Sequence, residues 1–280
     1  MELLDRRQAL IEDRLEAVVA DLEPPELREA VAHATLSGGK RVRPTVTLLA
    51  CETVGGEPVD AVDFGVGVEL VHAASLVVDD IIDRSAVRRG VDSAWLEYGH
   101  GPAIVTSDGL LGEAFALFSA DPEAMRTVSE AMVELGIGEA TELADTPTTE
   151  AEYATLARRK TGALFRAAAE LGAIAADSDG VTVEALGEYA ERVGVAFQIR
   201  DDVLDAVADP DTLGKPTGHD AALERPSLLQ VTDLTPAEAN QRAHDQADRA
   251  VDALERVETV DADARSYLLE LAEFVVERER

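Results

Sequence analysis

Apolar residues recur every three or four positions along nearly the whole chain, while alternating or β-branched runs are short. That pattern predicts helix almost everywhere and very little strand. Several helix starts can be read directly. Asp121-Pro122 sets a capping carboxylate before a first-turn proline, and Thr149 to Glu152 and Thr235 to Glu238 have the spacing of capping boxes. Breaks fall at Pro24-Pro25, Gly38-Gly39, Gly90, Gly99 to Pro102, Pro122, Pro147, Asp177 to Gly180, and from Pro210 to Pro226. They divide the chain into roughly ten helices of about ten to thirty residues. No linker is long or low in complexity, and no fixed-period repeat is present. The expectation is an all-α protein, a single large helical bundle spanning residues 1–280.

Two of these helices end alike. One reads LVHAASLVVDDIID and ends at Asp83; the other reads VGVAFQIRDDVLD and ends at Asp205. They lie about 120 residues apart (83 to 205), too far for a tandem repeat, but they could be facing walls of one cavity. Asp79 and Asp83 are four apart and share a helix face, with Asp80 beside them; Asp201, Asp202 and Asp205 form the second set. Like charges at this spacing repel, and each set follows directly on an apolar stretch where charge is costly. Something positive must compensate. Mg2+ suits the chemistry, because it binds through one or two carboxylates plus substrate phosphates. His72, seven before Asp79, and Gln198, three before Asp201, extend the same faces.

Basic motifs are interleaved with the acidic ones. Gly38-Gly39-Lys40-Arg41-Val42-Arg43-Pro44 puts two glycines, which permit close backbone approach to a phosphate, before three bases. Arg88-Arg89-Gly90 follows the first acidic set, Lys160-Thr161-Gly162 pairs a cation with a hydroxyl, and Gly214-Lys215 follows the second acidic set. Each alone is a weak signal; their order around two acidic clusters is a strong one. A site for two diphosphates needs both metal and fixed cations.

Composition narrows the classes. Apolar residues are 46% of the chain, enough for a large core. There is no run of eighteen apolar residues and no charged-then-apolar leader, so neither a transmembrane segment nor a signal peptide is expected. The single cysteine, Cys51, can form no internal disulfide, which fits a cytoplasmic location. With 56 acidic against 25 basic residues the formal net charge is -31, which excludes a broad nucleic-acid-binding surface. The acid excess predicts a solvated, halophilic coat. Lysine is nearly absent, and the three that remain, Lys40, Lys160 and Lys215, all sit in the motifs above.

From Gly38 to about Ser227 the order of these motifs resembles the trans-isoprenyl diphosphate synthase, or polyprenyl synthetase, family. The resemblance implies helices around a deep central cavity, a homodimer, and head-to-tail condensation of isopentenyl diphosphate with an allylic diphosphate. By resemblance, Asp79, Asp80, Asp83, Asp201, Asp202 and Asp205 would hold up to three Mg2+ with the substrate diphosphate. Lys40, Arg43, His72 and Arg89 match residues that bind isopentenyl diphosphate; Arg88, Lys160, Thr161, Gln198 and Lys215 match those on the allylic diphosphate. Five of these, Asp79, Asp83, Asp201, Lys160 and Lys215, would carry catalysis. The chain departs from the family at Val78, Asp92-Ser93, Gly138-Glu139, Glu142, Arg225 and Ser227. Val71, Ala74 and Ser75, one and two turns below Asp79, match the wall that sets product length. None is aromatic, which favours geranylgeranyl diphosphate or a product one unit longer, although the helix bearing Phe115 and Phe118 could supply the floor instead. Two alternatives remain at this point: a non-catalytic or modulatory subunit of a heteromeric synthase, and a terpene cyclase, against which the Gly-Gly-Lys and Arg-Arg-Gly motifs argue.

Overall fold

The computed structural model describes residues 2–144, 147–207 and 226–278. Lys215 and Arg225, both singled out above, lie outside the described residues. In chain order the helices are α1 (Glu2–Ala20), α2 (Pro25–Leu36), α3 (Val42–Thr53), α4 (Pro58–Ile82), α5 (Ala94–Tyr98), α6 (His100–Phe118), α7 (Pro122–Ala144), α8 (Glu150–Ala157), α9 (Ala163–Ala175), α10 (Gly180–Val207), α11 (Leu228–Val231), α12 (Pro236–Leu254) and α13 (Ala262–Glu277). A five-residue π-turn, Arg158–Gly162, joins α8 to α9.

The expected helix starts hold. Asp121 accepts from the backbone N–H groups of Glu123 and Ala124, and Thr235 and Glu238 form the full reciprocal box that opens α12. At α8 the box is displaced by one residue. Thr149 accepts from Glu152 N–H, but the Glu152 carboxylate turns back to Thr148. Two features were not foreseen. The chain breaks at Gly55-Gly56 between α3 and α4, and a two-stranded hairpin, β1 (Val87–Arg88) with β2 (Val91–Asp92), carries the Arg88-Arg89-Gly90 motif.

Helix α4 bears on the expected absence of a membrane span. With 25 residues and a mean hydropathy of 1.6 over its best window, it is long and apolar enough to cross a membrane, but 67% of that window is buried inside the bundle. It is the central core helix, flanked by α3, α6 and α9.

The direction of the helices around α4 decides where the motifs meet. Gly65 of α4 lies against Pro44 and Leu48 of α3, while Glu69, a turn further on, pairs with Arg41 just before α3. The two helices are therefore antiparallel. Gly172 of α9 lies against Thr47 and Ala50, and Phe165 at the start of α9 lies under Arg43 at the start of α3, so α3 and α9 are parallel. Gly187 of α10 meets Glu170 late in α9, and Gly194 meets Gly162 just before it, so α9 and α10 are antiparallel. It follows that α4 and α10 run the same way. Both deliver their acidic C-terminal ends to the side of the bundle where α3 and α9 begin.

Candidate active site

At that end of the bundle the negative poles of α4 and α10 carry the two acidic sets, and neither helix has a base in its last turn. Each set divides the same way. The second Asp is enclosed, with Asp80 at 3% exposure and Asp202 at 2%, while Asp79, Asp83, Asp201 and Asp205 are half-buried. Asp80 takes a bidentate grip from Arg88 of the hairpin, with Nη2 at 2.5 Å and Nε at 3.1 Å. Asp202 accepts from the Tyr153 hydroxyl at 2.6 Å, from Gln198 Nε2 at 3.0 Å and from Leu228 N–H at 2.7 Å. Asp201 pairs with Arg278 from the end of α13, whose guanidinium lies 3.9 Å over the Phe197 ring. The Arg278 carbonyl is held in turn by Arg200.

A second group forms where α3 begins. Gly38 and Gly39 have φ of +98° and +139°, a backbone that L side chains rarely adopt, and Arg89 folds over them to donate to the Gly38 carbonyl. Arg43 lies 4.5 Å over the Phe165 ring, and its Nε is buried without a protein partner. Burial lowers its pKa to about 10 in spite of Glu69, and nearby Arg89 adds to the lowering. Arg89 is lowered too, by burial first and in spite of Glu69, with Arg41 and Arg88 adding to the effect. His72 is held neutral, well below its ordinary range, by burial and then by Arg43 and Arg89. Three of the four residues matched to isopentenyl diphosphate thus share one desolvated, cation-rich corner. The fourth, Lys40, is exposed and lies 5.9 Å over Phe274 of α13. Arg41, the middle base of the motif, serves the fold instead, joining Glu12, Glu69 and the Thr35 carbonyl.

The third group is the π-turn. Gly162 and Gly194 meet here, where a methyl on Gly194 would fall 3.0 Å from the Gly162 backbone, so the turn sits directly on α10. Thr161 donates to Gln198 Oε1 at 2.9 Å. Lys160 pairs with Glu142 at 2.5 Å and Glu139 at 3.2 Å. Two of the departures from the family pattern are therefore the carboxylates that hold Lys160. Of the others, Val78 is exposed on α4, and Ser93 is buried and donates to the Ser85 carbonyl.

The three wall residues separate. Ser75 is half-buried on the Asp79 face, whereas Val71 and Ala74 are buried, and Ser107 of α6 donates to the Ala74 carbonyl. Phe118 packs against Gly67 and 5.9 Å from Phe64, deep in the α4–α6 seam, while Phe115 is half-buried. Sequence reasoning missed Tyr153 and Arg278. Tyr153 sits in an unremarkable stretch of α8, and Arg278 in the charged Glu-Arg-Glu-Arg run that ends the chain.

Among the described residues no three His, Cys, Asp or Glu side chains converge on one point. With a substrate diphosphate bound, Mg2+ needs only one or two protein carboxylates, with the rest of its shell phosphate and water oxygen, and Asp79, Asp83, Asp201 and Asp205 are carboxylates of that kind. Hard oxygen ligands and no thiolate fit Mg2+ and would not favour a softer metal.

Comparison with known proteins places the chain in a family. The family model for polyprenyl synthetase matches residues 24–263. A short chain isoprenyl diphosphate synthase of Methanothermobacter thermautotrophicus is 33% identical, covering 100% of this chain and 98% of its own. A geranylgeranyl diphosphate synthase of Methanosarcina mazei is 34% identical over 82% of this chain and 75% of its own. Among solved structures, a geranylgeranyl pyrophosphate synthetase of Pyrococcus horikoshii superposes with a TM-score of 0.91 at 33% identity, over 99% of both chains.

Proposed function

This chain belongs to the polyprenyl synthetase family and is a prenyltransferase, and from that premise we propose which of its residues carry the reaction and where chain growth stops. The reaction is head-to-tail condensation of isopentenyl diphosphate with an allylic diphosphate, giving a longer trans-prenyl diphosphate. The modulatory-subunit and cyclase alternatives are not favoured by relatives that match end to end.

The observation that carries the assignment is the common direction of α4 and α10. It sets both acidic helix ends beside the basic starts of α3 and α9. The Asp79–Asp83 and Asp201–Asp205 pairs would hold Mg2+ against the allylic diphosphate. Bound there, Mg2+ supplies Lewis-acid stabilisation of the leaving diphosphate. Lys160, Thr161 and Arg88 orient that diphosphate as its C–O bond breaks and the electron pair leaves with oxygen. The double bond of isopentenyl diphosphate attacks the resulting allylic cation, and loss of a proton to the released diphosphate restores an alkene. Arg43, His72 and Arg89 hold the second diphosphate. Burial and mutual repulsion depress these groups, and an incoming anion relieves both effects. Catalysis on this reading is positioning and electrostatics, without a covalent enzyme intermediate.

We assign the product as geranylgeranyl diphosphate. Below Asp79 the wall residue on its half-buried face is Ser75, with Ala74 and Val71 covered by the bundle, and α4 carries no Phe, Tyr or Trp between Asp79 and the Phe64–Phe118 pair at Gly67. Gly67 is twelve residues down, about 18 Å along the helix. Incubating the purified chain with labelled isopentenyl diphosphate, farnesyl diphosphate and Mg2+ tests the whole reading. The expected result is a twenty-carbon product, with turnover lowered at least about 10²-fold in Asp201→Ala at unchanged secondary structure. Absence of any elongated product from the wild-type chain would reject the reaction, and near-normal turnover in the variant would reject the ligand assignment.

A further inference from the structure

The second acidic set reads as three equivalent carboxylates in sequence, but its middle member is built differently. Asp202 is enclosed, and both of its oxygens are engaged: Oδ2 by the Tyr153 hydroxyl and Leu228 N–H, Oδ1 by Gln198 Nε2. These donors come from α8, α10 and the start of α11. Three donors take up most of the carboxylate's lone-pair sites, so a metal would have to crowd against groups that already hold Asp202 in place.

The hydrogen bonds also fix an orientation. A carboxylate only accepts, so Gln198 must turn its NH2 toward Asp202, which leaves its Oε1 facing the other way. Thr161 donates to that Oε1 at 2.9 Å, and Thr161 adjoins Lys160 in the π-turn. Tyr153, Asp202, Gln198 and Thr161 thus form one hydrogen-bonded relay: Thr161 donates to Gln198, and Gln198 and Tyr153 both donate to Asp202, which ties the turn that carries the cation to a buried phenol.

We propose that Tyr153 and Asp202 are positioning residues for the allylic diphosphate: they lock the Gln198 amide and the Thr161 hydroxyl beside Lys160, and Asp202 is not a metal ligand. The proposal rests on the assignment of Lys160 and Thr161 to the allylic site. Asp201 and Asp205 are left as the metal-facing pair of α10, matching Asp79 and Asp83 on α4.

The test uses the full chain with Tyr153→Phe, Asp202→Asn, the double variant, and Asp201→Asn as comparator. Calorimetry reads Mg2+ stoichiometry and affinity in the presence of inorganic pyrophosphate, and steady-state kinetics read KM for each substrate. Tyr153→Phe and Asp202→Asn should each weaken pyrophosphate binding and raise the allylic KM about tenfold, the worth of one lost charge-assisted hydrogen bond. KM for isopentenyl diphosphate and the number of Mg2+ ions bound should stay as in the wild type. The double variant should be no worse than Asp202→Asn alone, because both substitutions cut the same relay. Asp201→Asn should lose Mg2+-dependent pyrophosphate binding. Loss of a metal ion in Asp202→Asn, or wild-type pyrophosphate binding in Tyr153→Phe, would overturn the proposal. If Asp202→Asn fails to fold, Tyr153→Phe decides alone. A wild-type chain that binds Mg2+-pyrophosphate but makes no product would remove the reaction and leave the relay to be judged by binding.

Discussion

A neutral histidine among arginines is a pH-sensitive element, and His72 is one. Its folded pKa lies well below the ordinary value because burial and then Arg43, Arg89, Arg88 and Arg41 oppose protonation. In the unfolded chain it titrates near 6.5. Between these two values the unfolded state binds the extra proton, so stability is full above about pH 6.5 and falls as pH drops below it. The slope attributable to one such group is about 1.4 kcal/mol per pH unit. Denaturant titrations at pH 7.5 and 5.5 should show a larger stability loss for the wild type than for His72→Gln. Equal losses would mean His72 is not held neutral. At this scale the sequence was legible where residue type alone constrains local structure: the two acidic helix ends and the glycines before Lys40. It was not legible where burial decides. Asp201 and Asp202 are adjacent and identical in the sequence, yet one faces Arg278 and the other is enclosed by Tyr153. Arg41 and Arg43 are two apart, yet only Arg41 is neutralised by two glutamates.

At the scale of elements, periodicity and caps gave the helices but not their mutual directions, which follow from which glycines accept which neighbours. The wall below Asp79 shows the consequence. Val71, Ala74 and Ser75 are equivalent by count along α4, but the bundle covers two of them, with α6 bonded to the Ala74 carbonyl. Ala74→Phe therefore forces a ring into the α4–α6 seam, and overpacking should cost about 1–3 kcal/mol of stability. Ser75→Phe puts the ring on the half-buried Asp79 face and should shorten the product to fifteen carbons or fewer at near wild-type stability. Chromatography of the products, with thermal unfolding of both variants, separates the two effects. Unchanged chain length in Ser75→Phe would move the wall to another helix. The hairpin after α4 was invisible to sequence patterning because two-residue strands carry no alternation to detect. Its role is nonetheless plain in the structure: it turns Arg88 back onto Asp80 and Arg89 onto Gly38.

For the whole molecule, charge and exposed apolar surface pull in opposite directions. A formal charge of -31 makes every approach of two copies unfavourable at low salt. Yet α6 and α7 present apolar side chains to solvent, with Ile104, Val105, Val133, Ile137 and Leu143 exposed at 39% to 64%. Acid is sparse along α6, where Asp108 and Glu113 are the only acids. α7 carries Glu123, Glu130, Glu134, Glu139 and Glu142, so the acid-poor part of this patch is its α6 end, and we propose that this end meets its own copy in the isologous contact of a twofold dimer. On that proposal salt would govern both folding and assembly. The screening length is about 10 Å at 0.1 M and about 3 Å at 1 M, so raising KCl removes self-repulsion while leaving apolar burial intact. The expected outcome is a melting temperature that climbs with KCl and a shift from monomer to dimer over the same range, seen by sedimentation velocity. Val105→Glu, which places another carboxylate on the stripe, should stay monomeric at concentrations where the wild type pairs, and should keep the salt dependence of its melting temperature. A wild-type chain that remains monomeric at high salt would leave the stripe without a partner. A Val105→Glu dimer would place the contact on a different face.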